Sequence, residues 1–526
     1  MLSPLLLALA ASTVSVSAVS NGRAHPNTPP FPLPPIASLP AEKHLAASAP
    51  VSKSGATIPP YNTTYYFDQL IDHTNPGLGT FKQRYWHTWE FYEEGGPIIL
   101  STPGEANAAP YFRYLTNATV NGLLAQQESG ATVVLEHRYY GLSNPYPDLS
   151  VASLKYHTIQ QAIEDLEYFT KNVNLPMPGG DKVKPGQAPW VLMGGSYSGA
   201  LTAWTMVNKP DLFQAGYASS AVVESIIDFW GYFEPIRQFM PKNCSADVQA
   251  VVAHFDKVFT NGTSAEQAAL KEQYGMSDVT HADDVTGALR NNLWDWQELS
   301  PTTGAGAQFW AFCDALEVNA AGVSAPAKGW GVKHALDAWG AYFKNTYLSI
   351  LCDDQTAEEC LGTYNASQSY WTDESIDNAG RSWTWIVCNE VGWFQDSAPK
   401  GYPTVVSRLV HPSADERQCV QMFPKAFSSP PVPGAAKTNA AYDGWNLKVD
   451  HLFFANGQRD PWRDATVSAD GLNVPSTASQ PIAVSDGFHC SDLITRAGTV
   501  DATVKSVQDA GLKAIGAWLK EWEASS

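Results

Sequence analysis

Three residue types that together perform acyl transfer occur in this chain in a suggestive order. Ser196 lies in Gly194-Gly195-Ser196-Tyr197-Ser198-Gly199, after the apolar run Trp190-Val191-Leu192-Met193 and before the helix-like segment Ala200–Met206. A serine hydroxyl is a weak nucleophile until a base takes its proton and an acid orients that base. A reactive serine often sits on a tight strand-to-helix turn, where small neighbours are needed because the backbone folds back on itself. The candidate acid is Asp460 in Asn456-Gly457-Gln458-Arg459-Asp460-Pro461-Trp462, and the candidate base is His489 in Asp486-Gly487-Phe488-His489-Cys490-Ser491-Asp492. Each follows an apolar, strand-like run, and the chain order is serine, acid, histidine.

Each residue alone has a plainer reading: a glycine-rich loop, an Asp-Pro turn cap, a satisfied histidine. Their order, spacing and strand contexts together favour the chemical reading. Asp486 and Asp492 share a loop with His489 and would point poorly at its ring. Ser198 stands where a second glycine is usual, but it is small enough for the turn, and its own flanks suit a nucleophile less well than those of Ser196. An oxyanion would be held by the backbone N–H of Tyr197 and by a second N–H from Thr102-Pro103-Gly104-Glu105, at Gly104 or Glu105. The chemistry needs no cofactor, and no metal-ligand spacing such as HExxH occurs.

The elements that must position these residues alternate. Residues 80–89 read as an aromatic-rich strand, and Gly96–Leu100, Ala131–Leu135 and Trp190–Met193 as short apolar strands buried on both faces. Thr158-Ile159-Gln160-Gln161 has capping-box spacing and opens a helix through Phe169. Another strand-like run follows at 215–222. Such alternation implies an α/β sheet with helices on both faces. Beyond about residue 226 the chain becomes helical and cysteine-bearing, as at Val248–Phe259 and Trp330–Tyr347. Strands return at 449–454 and 481–484, and an amphipathic helix with Val504, Val507, Ile515, Trp518 and Trp522 closes the chain. The expected fold is an α/β-hydrolase domain, 61–225 and 435–526, interrupted by a mostly helical insert at 226–434.

The 526 residues carry a formal net charge of −19, which argues against nucleic acid or an anionic membrane as partner. Residues 1–18 read as a signal peptide, so a secreted, extracellular protein is expected, with a vacuolar or lysosome-like compartment second. Sequons at Asn62, Asn117, Asn243, Asn261 and Asn365 favour N-glycans. Residues 19–60 are rich in Pro, Ala and Ser and cannot bury enough surface to fold alone; they read as a propeptide or flexible lead-in. Seven cysteines leave at least one thiol unpaired, and Cys490, apart from the six between 244 and 419, is the expected one.

The motifs GGSYSGAL, EHRYYG (136–141), NGQRDPW and GFHCSDL, with the opening DQLIDHTNPGLGTFKQRYW, resemble the serine peptidases grouped with prolyl carboxypeptidase and dipeptidyl peptidase II, and look most like secreted fungal proline-specific endoproteases. The resemblance runs from about Phe67 to the C-terminus. It implies acid-active hydrolysis of peptide bonds after proline, exo or endo, with Ser196, Asp460 and His489 as triad. It also implies a proline pocket walled by Trp462, with Ala200 where the carboxypeptidase has methionine, and a substrate-side role for Glu390. Other expectations are a carboxylesterase or lipase, since the serine turn is shared across acyl-transfer chemistries, and a non-catalytic hydrolase-like binding protein.

Overall fold

The computed structural model describes residues 23–36 and 49–522. The expected signal peptide lies outside them. Ten strands follow in chain order: β1 Tyr65–Leu70, β2 Thr80–Thr88, β3 Ile98–Ser101, β4 Ala131–Leu135, β5 Trp190–Gly195, β6 Ala215–Ser219, β7 Ile226–Asp228, β8 Gly392–Phe394, β9 Leu452–Gly457 and β10 Ile482–Ser485. Eight of them form one sheet in the order β1-β2-β4-β3-β5-β6-β9-β10, while β7 and β8 form a separate parallel pair. β1 and β4 each run antiparallel to β2; every pairing from β4 to β10 is parallel.

Side-chain alternation in the central strands explains why both faces are covered. Trp190 and Leu192 of β5 enter an apolar cluster with Ile163, Leu166 and Phe169 of α2 (Ile159–Asn172) and Leu201 and Trp204 of α3 (Tyr197–Asn208). Val191 and Met193 point the other way, into a cluster with Val120 and Leu124 of α1 (Val120–Glu128) and Val507, Leu512, Ile515 and Trp518 of α4 (Ala502–Lys520). A strand buried on both sides needs no polar alternation, which is why these strands read as continuous apolar runs. This is an α/β-hydrolase sheet.

Between β6 and β9 the chain is mostly helical, including Lys242–Asn261, Gln308–Glu317 and Val332–Tyr342. Its apolar residues, among them Val248, Phe255, Trp294, Phe312 and Trp339, join the cluster on the α2/α3 face of the sheet, so insert and sheet share one core. Disulfides Cys244–Cys313, Cys352–Cys360 and Cys388–Cys419 tie the insert to itself, and Cys490 is the buried free thiol, as its position suggested. The sequence reading missed β7 and β8, each only three residues long.

The capping box at Thr158 forms by half. Thr158 Oγ1 accepts the Gln161 N–H at 3.2 Å, but the Gln161 side chain does not return to the cap; it donates to Asp72 and accepts from His73. Buried Arg138 of the EHRYYG motif draws this region together, donating to Asp165 Oδ2 of α2 at 2.7 Å and to the carbonyls of Leu70, Ile71 and Tyr156. Residues 23–36 contain no helix or strand, yet Asn27 and Phe31 are each only 3% exposed. A segment that cannot fold alone is here buried by the rest of the chain.

Removing Arg138 strands the Asp165 charge with only His73 beside it. Arg138→Met is expected to destabilise the protein by about 3–5 kcal/mol, read as a lower thermal midpoint; an unchanged midpoint would show that the pair does not hold β1 to α2.

Candidate active site

The turn between β5 and α3 forces Ser196 into φ +63°, ψ −126°, a region that L-residues rarely enter. The strain is held from both sides. The Ser196 N–H donates to Ser219 O of β6 at 2.8 Å, and Ala200 N–H donates to Ser196 O at 2.9 Å as the first helical bond of α3. The flanking glycines are required by close approach. A Cβ on Gly194 would lie 2.1 Å from Ser198 O, and one on Gly199 would lie 2.6 Å from Ser219 O. Ser198 is tolerated because Gly104 faces it with no side chain: a Cβ there would come within 2.5 Å of Ser198 Oγ.

Three loops then meet. Ser196 Oγ lies 2.7 Å from His489 Nε2, and His489 Nδ1 lies 2.8 Å from Asp460 Oδ1. Asp460 Oδ1 also accepts the Trp462 N–H at 2.9 Å, which fixes the carboxylate in its own turn. With Nδ1–H donated to the carboxylate, Nε2 is free to accept the serine proton. All three side chains are buried. Burial opposes charge on His489, but the Asp460 carboxylate beside it outweighs that and holds its pKa well above the ordinary imidazole value.

The neighbouring acids do other work. Asp492 accepts Tyr217 Oη–H and Ser219 Oγ–H under the sheet end, at 2.9 and 2.8 Å, and Asp486 is exposed. Cys490 N–H donates to Ser220 Oγ at 2.9 Å, which seats the His489 loop on the end of β6.

As the first residue of α3, Tyr197 carries an N–H with no intrahelical acceptor. Across from it, Gly104 at φ +80° brings the loop after β3 against the elbow, although its own N–H leans on Thr102 Oγ1 at 3.3 Å. Glu105 is fully buried; burial pushes its carboxyl well above the usual carboxylate range, and neither carboxyl oxygen has a hydrogen-bond partner among the described residues. Ala200 is buried in the first turn of α3. Glu390 accepts the Ile159 N–H at 3.0 Å, capping α2, and burial raises its pKa to about 7. One of its oxygens therefore serves the fold.

Trp462 is 1% exposed, and its ring lies 6.5 Å from the His489 ring. It forms a box with residues that sequence reasoning missed. Trp393 crosses it at 5.8 Å and 82°, Trp383 stacks on Trp393 at 5.8 Å, and Tyr197 meets Trp383 edge-on at 5.3 Å. Gln297 braces the box, accepting Trp462 Nε1–H at 2.7 Å and Tyr232 Oη–H at 3.1 Å. Trp383 and Trp393 stand in the insert, more than 180 positions from Ser196, so no local spacing signals them. Of the sequon asparagines, Asn62, Asn117, Asn261 and Asn365 are exposed and Asn243 is half-buried.

A profile of the family described as serine carboxypeptidase S28 matches residues 69–509. The chain is 36% identical to "Serine protease vicPb" of Bipolaris victoriae over 87% of this chain and 89% of that one. It is 31% identical to a "Probable extracellular serine carboxypeptidase" of Arthroderma benhamiae over 93% of this chain and 72% of that one. It is 24% identical to the human "Thymus-specific serine protease" over 86% of each.

If the His489–Asp460 contact selects the ring tautomer, Asp460→Asn should leave the fold intact and cut turnover by about 10³–10⁴ with little change in KM. Asp492→Asn, which touches no reacting atom, should keep turnover within about threefold of the parent. Equal losses in the two variants would remove Asp460 from the relay.

Proposed function

The chain belongs to the serine carboxypeptidase S28 family and is a serine peptidase, and on that premise we propose that it hydrolyses peptide bonds on the carboxyl side of proline through an acyl-enzyme on Ser196. The observation that carries this reading is the continuous contact from Ser196 Oγ through His489 to Asp460, at 2.7 and 2.8 Å. Ser196 Oγ attacks the scissile carbonyl while His489 Nε2 takes its proton; the Tyr197 N–H, with one from Gly104 or Glu105, holds the oxyanion. Collapse of that intermediate expels the amine, which takes the proton back from His489, and leaves an ester on Ser196. Water, deprotonated by His489, then cleaves the ester and returns the serine.

Preference for proline is supported by the box of Trp383, Trp393 and Trp462 beside the relay. Flat aromatic walls accept a pyrrolidine ring face-on, and the ring has no N–H that needs a partner in such a pocket. Domains 61–225 and 435–526 carry the relay, and the insert at 226–434 supplies two walls of the box and roofs the cleft. Secretion and glycosylation of the exposed sequons fit the three disulfides, which form in oxidising compartments. The Arthroderma benhamiae relative bears the word "extracellular" in its name.

Acid activity, which the family resemblance implies, runs against the state of His489. A base must be neutral to take the serine proton, and this ring holds its proton more tightly than an ordinary imidazole. The acidic limb of kcat/KM is therefore expected to rise with pH through a value above about 6.5. Full kcat/KM at about pH 4 would show that His489 is neutral in the free enzyme there and would restore the acid-active reading.

Ser196→Ala should abolish cleavage of a proline-containing chromogenic peptide, a loss of about 10⁴-fold or more; retained cleavage would end the proposal. An end-blocked peptide containing one internal proline should yield fragments ending in that proline by mass spectrometry. Faster turnover of a short acyl ester, with no prolyl product, would favour an esterase.

A further inference from the structure

The cleft beside the relay is filled by the chain's own N-terminal region. Burial runs from Arg23 to Pro34, with only Pro29 and Leu33 half-buried, and ends where Ile36 emerges 44% exposed. Six of these fourteen residues are proline: Pro26, Pro29, Pro30, Pro32, Pro34 and Pro35. Phe31 and Pro30 press into the tryptophan box with Trp383, Trp393 and Trp462, leaving about 20 Å³ unfilled. Pro34 lies against the elbow itself, its Cβ 3.2 Å from where a Cβ on Gly195 would stand.

The backbone of the segment is held as a bound peptide is held. Gln297 Nε2 donates to Phe31 O at 2.7 Å, Tyr111 Oη to Pro34 O at 2.9 Å and Tyr114 Oη to Pro35 O at 2.6 Å. These carbonyls are engaged by side chains and not by the Tyr197 N–H, so none of them is offered to Ser196 for attack. Upstream, Asn27 Nδ2 donates to the carbonyls of Asp284 and Leu361, both at 3.0 Å, and Arg23 stacks over Trp294 and bonds Asn291. His25 stacks on Trp371 at 4.8 Å with Tyr370 edge-on.

We propose that residues 23–36 form a tethered, proline-rich inhibitor seated in the substrate cleft, and that Gln297, Tyr111, Tyr114 and the tryptophan box are the peptide subsites exposed when it leaves. This rests on the peptidase reading and adds to it the cleft's own occupant and the peptide class it prefers: proline-rich. A non-covalent inhibitor is effective when tethered, because a short covalent linker keeps it at about millimolar local concentration. Cutting the chain between 36 and 49 converts that into ordinary, dilutable binding.

His25 makes the docking sensitive to acid. Its Nδ1 accepts the Asn27 N–H at 3.0 Å, so a proton there would break a bond that shapes the segment. The faces against it are the rings of Tyr370 and Trp371 and the backbone at Gly362; the carboxylates near the segment, Asp295 and Glu298, act on Arg23. Burial therefore lowers the His25 pKa to about 3. A group depressed on docking stabilises the docked state fully above its free value and less as pH falls below it. Docking is at full strength above about pH 6.5 and weakens up to tenfold per unit toward pH 3.

The test replaces residues 40–45 of the full chain with a recognition sequence for a specific protease. A proline-terminated anilide, a serine-directed fluorophosphonate and a fluorescent synthetic peptide of residues 23–36 serve as probes. The cut protein, washed at about pH 4 and returned to neutrality, should hydrolyse the anilide at least about tenfold faster than the uncut chain. Added peptide should reverse the gain competitively, and its anisotropy-measured Kd should rise at least about tenfold between pH 7 and pH 4. A peptide with His25→Phe keeps the stacking and should lose that pH dependence. Equal rates before and after cutting, together with no peptide binding, would overturn the proposal. Peptide binding without hydrolysis or fluorophosphonate labelling of either form would uphold the docking and count against the peptidase reading.

Discussion

The architecture turns on one close approach of backbone to backbone. At the end of β5 the chain reverses into α3 with Ser196 at positive φ, and the turn exists only because Gly194 and Gly199 let it come within contact of Ser198 and Ser219. Strain of about 1–3 kcal/mol at such a residue persists only when its surroundings over-determine it. Here they do: Ser196 N–H is held by β6, and the His489 loop is pinned to the same strand end through Ser220. The same parallel sheet delivers Asp460 from the end of β9 and His489 from the end of β10, so three loops distant in sequence arrive at one point.

Burial sets the protonation states around that point. Glu105 and Glu390 are pushed toward their neutral forms by desolvation, whereas His489 is pulled the other way by its contact with Asp460. The outcome is an Asp–His pair in direct contact, beside carboxyls whose neutral forms burial favours. Low dielectric strengthens the pair and penalises any unpaired charge beside it.

The insert is more than a cover. It shares its core with the α2/α3 face of the sheet, and its three disulfides stiffen it without crossing to the sheet. Trp383 and Trp393 reach from it to Trp462, and Gln297 ties the box to Phe31 of the lead-in. The Ser196–His489–Asp460 contacts, the tryptophan box and the N-terminal segment thus lie in one packed region.

What the sequence determined by itself was whatever depends on local pattern. Continuous apolar runs marked strands buried on both faces, glycines marked the turn at Ser196, and the order of Ser196, Asp460 and His489 followed from the order of strands in the sheet. The isolation of Cys490 was likewise readable from spacing alone. Only the tertiary structure decided what depends on meeting at a distance. The Gln161 side chain left its cap because Asp72 and His73 arrived beside it, and Glu390 became the cap of a helix more than 200 positions away. Trp383 and Trp393 became walls only because the insert folds back over the elbow. Residues 23–36, too poor in apolar surface to fold alone, acquire order because the cleft supplies the aromatic rings and hydrogen-bond donors that composition cannot reveal.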